Sequence, residues 1–278
     1  MPAAIVSAIN NSMFRFPNRP SGRDFACIIH HVNQNYMKKT ILYLIIILLS
    51  LGRAPGQTLR WNYPCKPGTE CWNALTSVTE RQNACQITGI DLSTLSTEEL
   101  LLITMEHPFF RSYIAHDSPI EGMGFVLEGF NGFLEFKRRP DAMRALRDVY
   151  FREEFRKIQT FPDSAEMGAY SLKLIGVELM MCDDALLDQM SSEEKVHFLQ
   201  RLHSQWLVKK RYEVVFGGIS NEVSAYLFDL ILQSMGEELL ADHFEPEAIE
   251  SFRRRLIVRS TAPIEHLLNK FDEYVKSH

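Results

Sequence analysis

Glu166-Met167-Gly168-Ala169-Tyr170-Ser171-Leu172-Lys173-Leu174-Ile175-Gly176-Val177-Glu178-Leu179-Met180-Met181 carries only Lys173 and Glu178 as interior charges. Its apolar residues fall on nearly every side of a helix of that length, so the sequence predicts a buried helix over 166–181. A second run of the same kind covers Val223 to Met235, through Tyr226, Leu227, Phe228, Leu230, Ile231 and Leu232, interrupted by Asp229. Two such helices shield each other best side by side, which makes them the expected centre of an all-α fold. Period-two alternation, the mark of half-buried strands, is nowhere convincing.

Working outward, the remaining segments read as helices with start signals. Ser96 with Glu99 forms the pattern of a capping box before Leu100, Ile103 and Thr104, and Pro108 ends that helix. Pro119 opens a region bearing Phe125, Leu127, Phe130, Leu134 and Phe136, and Pro140-Asp141 restarts a helix with Ala142, Leu146, Val149 and Phe155 at helical spacing. Ser191-Ser192-Glu193-Glu194 starts another, with Val196, Leu199, Leu202 and Trp206 inward and Lys195, Gln200 and Arg201 outward. Two amphipathic helices close the chain at about 246–257 and 262–275, the last with Pro263 in its first turn. No repeat period is exact, so the expectation is a multi-helix bundle or an irregular α-solenoid-like array.

The N-terminal part reads differently. Lys38-Lys39 precede an apolar core from Ile41 to Leu51, and Ala54 and Gly56 supply the small residues before a cut that leaves Gln57 first. This pattern predicts a start at Met37, a signal peptide over 37–56 and an untranslated stretch over 1–36. A membrane span needs about 20 apolar residues, and this run stops short at Gly52-Arg53-Ala54-Pro55. The expected product is exported, periplasmic or extracellular, and not an integral membrane protein once cleaved. It divides into a Cys-containing irregular segment, 57–94, and a helical domain, 95–278.

Cysteine usage and charge fit that compartment. Export with four cysteines, Cys65, Cys71, Cys85 and Cys182, suggests disulfides, with three pairings open. Cys182 also reads as a buried thiol after Met180-Met181. The cysteine spacings match no common zinc pattern, so no metal is assigned. The first three lie in a polar, turn-rich stretch with little to bury, where a bridge would do what a core cannot. The whole chain has a formal net charge of −5. The first 56 residues hold six Lys/Arg against one acid, so the chain from Gln57 is more acidic still. Such a surface repels phosphate backbones and excludes a nucleic-acid partner unless Lys137-Arg138-Arg139, Lys209-Lys210-Arg211 or Arg253-Arg254-Arg255 builds a basic face; each reads instead as a helix C-terminus or solvated face.

Gly124-Phe125 and Phe130-Asn131-Gly132, followed by Glu135-Phe136, Arg138-Arg139 and a helix ending near Tyr150, resemble a group of exported bacterial proteins of unknown function. The likeness spans about residues 95–155, led in by Leu101, Leu102 and His107-Pro108. It implies an all-helical exported protein without an assigned activity, and it carries over no catalytic residue. Read from the residues alone, Asn131 and Gly132 permit a kink or a close helix contact, and the aromatics are core.

Candidate chemistry gathers at His107, His116, Asp117 and Glu121, because imidazole beside carboxylate suits proton transfer or divalent-ion binding. Against that stand the contexts of a helix end at His107-Pro108 and a turn at His116-Asp117-Ser118-Pro119. His197 and His203 are separated by ~600° of helical rotation and share no face. Nucleophile-elbow, phosphate-loop, dinucleotide and haem motifs are missing, so no cofactor is assigned. The expected function is binding of a protein or cell-envelope component, through an exposed apolar patch involving Phe109, Phe110, Tyr113 and Phe125. The alternative is an envelope hydrolase or metal-dependent enzyme built on the His107, His116, Asp117 and Glu121 cluster.

Overall fold

The protein is described by a computed structural model over residues 61–258 and 260–277; the expected leader and the stretch before it lie outside the described residues. The first elements are two short helices, α1 (Glu70–Ala74) and α2 (Val78–Ala84), the latter begun by a capping box between Ser77 and Glu80. Next come α3 (Thr97–Met105), α4 (Pro119–Leu127), α5 (Asn131–Lys137) and α6 (Ala142–Arg152). The two long core helices, α7 (Ser164–Met181) and α10 (Glu213–Gln233), bracket the short α8 (Asp184–Leu187) and the long α9 (Ser192–Arg211). The chain ends with α11 (Pro246–Arg255) and α12 (Ala262–Ser277). Among the described residues there is no strand.

The start signals act as their chemistry requires. Ser96 Oγ accepts from the Glu99 amide at 3.2 Å while Glu99 accepts from the Ser96 amide at 2.8 Å, and Ser191 and Glu194 repeat the exchange at α9. Helix α7 opens on Asp163, which accepts from the Glu166 amide. Gly217 breaks α10 near its start with φ +65°, a conformation that a side chain would strain, so the continuous part of the helix follows it.

Helices α7 and α10 pack along each other, with α9 and α12 against α10 and α6 against α7. Leu174, Ile175, Val177 and Met181 of α7 meet Val223, Leu227, Phe228 and Ile231 of α10 in one core. The Phe228 and Phe271 rings stack at 4.3 Å and pin α12 to α10, worth about 1 kcal/mol beyond the area they bury. Helix α10 is long and apolar enough to cross a membrane by length and composition, but 56% of its most apolar window is buried against neighbouring helices.

Three expectations need correction. Lys195 points inward rather than outward, and Phe198 joins Leu199 and Leu202 in the core where Val196 was expected. The N-terminal segment is not short of material to bury: Tyr63, Trp72, Cys85 and Ile87 enter the common core, and the Tyr63 hydroxyl donates to the Ile103 carbonyl at 2.8 Å. The disulfide set is a single bridge. Cys65 and Cys71 are joined, with Cα atoms 5.5 Å apart, whereas Cys85 and Cys182 are free thiols in different parts of the fold. Even parity suggests two bridges only when every cysteine can reach a partner, and Cys182 instead caps α7 with its thiol on the Glu178 carbonyl.

Candidate functional site

Helices α4 and α5 lie beside the C-terminal end of α7, and between them runs an open groove of about 700 Å³. Its position follows from local chemistry. Ser118 caps α4 by accepting from the Glu121 amide at 3.2 Å and donates its hydroxyl proton to the Arg255 carbonyl at 2.6 Å, which ties the start of α4 to the end of α11. Between α4 and α5 the helix breaks fully at Phe130, whose backbone is extended.

That break explains the Phe130-Asn131-Gly132 motif. The Asn131 side chain accepts from the Ile87 amide at 3.0 Å and donates to the Ile87 carbonyl at 2.9 Å, copying a peptide group. The Gln86 amide group donates to the Gly129 carbonyl at 2.8 Å, and Gln86 Oε1 accepts from the Asn131 amide at 3.0 Å. A Cβ on Gly132 would lie 2.5 Å from Phe130 Cζ and 2.8 Å from Ile87 Cδ1, so only glycine allows the approach. The motif joins the N-terminal segment to α5 and sets the tilt of the groove wall.

Apolar floor and wall residues include Met123, Leu127, Phe133 and Met180, and two large apolar side chains stay open to solvent there, Phe125 at 39% and Leu134 at 42%. Charged groups at the groove are Glu121, Glu128, Lys137, Asp183, Asp184 and Arg253. Lys137 is paired with Asp183 at 2.5 Å, and Arg255 holds Glu121 at 2.7 and 3.1 Å. Arg253 is held by the buried Asp229 at 2.7 and 2.9 Å and by Glu238 at 2.8 Å. That hydrogen bonding draws the Glu238 carboxyl down to about 2, while burial pushes Asp229 up against the pull of Arg253. Cys182 also borders the groove, but burial, reinforced by Glu178, Asp184 and Asp183, raises its thiol well above the ordinary value. It stays protonated and a poor nucleophile.

The expected patch is only partly realised. Phe125 opens on the groove and Phe109 is half-buried, but Phe110 and Tyr113 are core residues at 1% and 0% exposure. The turn before α4 folds inward, and the Tyr113 hydroxyl donates to the Leu172 carbonyl at 2.7 Å, which spends its one polar group inside. Leu134, which lines the same groove, stands in the sequence only as one apolar residue of the region opened by Pro119; the break at Phe130, which separates α4 from α5, is the signal that local pattern lacks.

His107 lies in surroundings of its own, whereas Asp117 and Glu121 both act on Arg255. His107 is buried beside Tyr63 and Phe130, its Nδ1 accepts from the Phe109 amide at 3.2 Å, and burial pulls its pKa down to about 4. His116 is exposed and packs its ring near Phe125, and Glu121 is occupied by Arg255. Among the described residues no three His, Cys, Asp or Glu side chains converge as cation ligands.

Sequence reasoning missed the strongest electrostatic feature, a charge network inside the core. Lys209, grouped in the sequence with a solvated face, is buried and donates to Glu178 at 2.6 and 2.8 Å and to the Ser224 hydroxyl at 2.6 Å. Tyr150 donates a hydrogen bond to the same carboxylate. Burial lowers the Lys209 pKa while Glu178 pulls it back up. No groove residue is a donor or acceptor in these bonds. Comparison with protein-family models, curated proteins and solved structures finds no match.

Proposed function

We propose that this protein is an exported helical binding module that docks a segment of another protein of the cell envelope in the groove between α4, α5 and the end of α7. The observation that carries the reading is the presence of two solvent-open apolar side chains, Phe125 on α4 and Leu134 on α5, lining one concave surface with an apolar floor. Helix walls with apolar anchors and a charged rim are what a partner helix or extended segment needs to displace water and fix its register. The Cys65–Cys71 bridge agrees with an oxidising compartment, and the acidic balance of the chain disfavours nucleic acid.

The test places a photo-reactive residue at Leu134 or Phe125, with Val78, 49% exposed on α2, as the control site. The full chain is expressed in an export-competent bacterium, and the product is followed by intact mass. Expected are a cleaved product beginning at Gln57 and a discrete protein adduct from positions 134 and 125 but not 78. A cytoplasmic, uncleaved product would end the export reading. Equal adducts from all three sites, or none from 134, would end the groove reading.

A further inference from the structure

The groove takes one chemical class of occupant better than others, and this inference rests on the docking reading above. The charge ledger at its rim does not cancel. Lys137 and Arg253 are spent on Asp183 and on Asp229 with Glu238, and Glu121 is spent on Arg255. Among the described residues Glu128 and Asp184 have no ion pair, and both line the groove, one at the end of α4 and one at the start of α8. Both are exposed and meet whatever enters.

An incoming carboxylate or phosphate would face two uncompensated acids with no free cation among the lining residues. A Lys or Arg on the occupant would find a partner at Glu128 or Asp184 while its apolar face covers Phe125 and Leu134. The field of the whole acidic chain acts in the same direction and speeds encounter with a basic partner. We infer that the occupant is a cationic amphipathic segment of a partner protein, with basic side chains flanking an apolar face. It lies along the groove in the manner of a helix in a helical cleft.

The full chain, exported and purified, is titrated by fluorescence anisotropy with a labelled amphipathic helix built of Leu and Lys, and with its counterpart in which Glu replaces Lys. The Leu/Lys probe should bind at least about tenfold tighter, with affinity falling as salt rises. Glu128→Lys combined with Asp184→Lys should weaken it about tenfold or more, while the same change of charge away from the groove, Glu70→Lys with Glu265→Lys, should weaken it less than about threefold. Equal losses from the two double variants would mean attraction to net charge alone and would overturn the inference, as would failure of the Leu/Lys probe to bind. Equal binding of both probes, abolished by Leu134→Asp, would overturn the cationic preference yet leave the groove as a docking surface. Leu134→Asp without effect on any bound probe would remove the groove reading itself.

Discussion

Lys209→Met should be strongly destabilising although it leaves every helix cap intact. Three hydrogen bonds leave with the ammonium group, two to Glu178 and one to Ser224. The Glu178 carboxylate then remains in the core with only the Tyr150 and Ser224 hydroxyls to solvate it. Stranding one member of a buried ion pair costs about 3–5 kcal/mol, a large part of the stability of an ordinary domain. Adding Glu178→Leu removes the stranded charge and leaves only the neutral Tyr150 and Ser224 hydroxyls without these partners, which costs less than an unpaired buried carboxylate. The double variant should therefore be more stable than Lys209→Met alone. Urea unfolding followed by circular dichroism, run on parent, single and double variants, supplies every number needed. A loss under about 1 kcal/mol for Lys209→Met, or a double variant as unstable as the two singles summed, would refute a core ion pair.

His107, with its folded pKa lowered to about 4 by burial, should make stability depend on mild acid. The unfolded chain binds its proton at about 6.5, so stability is complete above that pH and falls by up to about 3 kcal/mol toward pH 4; His107→Gln should flatten this part of the profile relative to the parent. Cys65→Ser with Cys71→Ser opens a short loop, sequence separation 6. The expected cost is about 2 kcal/mol by loop entropy, read as a lowered urea midpoint at unchanged slope. Gly132→Ala drives a methyl into Phe130 and Ile87, both buried. A loss of about 1–3 kcal/mol in thermal or urea unfolding is expected, and a neutral outcome would show that the Ile87 side chain simply yields.

The reach of sequence reading here follows from the range of the interactions involved. Capping at Ser96 and Ser191 was legible because the cap and its answering Glu lie three residues apart. The burial of α7 and α10 was legible because a helix apolar on all sides has no face to give to water. The groove was not, because Phe125 and Leu134 come to line one groove from two helices only through the break at Phe130, and that break is held by Gln86 and Ile87, more than forty residues away in sequence. Phe110 and Tyr113 misled for a related reason: aromatic residues in a turn-rich stretch look the same whether the turn folds outward or onto α7.

By itself, then, the sequence determined an all-α fold, its main helices and starts, and the acidic character of the chain, all properties set by composition, periodicity and neighbours within one or two turns. Tertiary structure alone decided which cysteines pair, which members of a Lys-Lys-Arg run face solvent and which rim carboxylates stay uncompensated. A thiol bonds only to a thiol at the right distance, and Lys209 can be buried only because Glu178, Tyr150 and Ser224, from three other helices, meet it in the core. Such choices depend on the distance and dielectric between groups far apart in the chain, and local pattern carries neither.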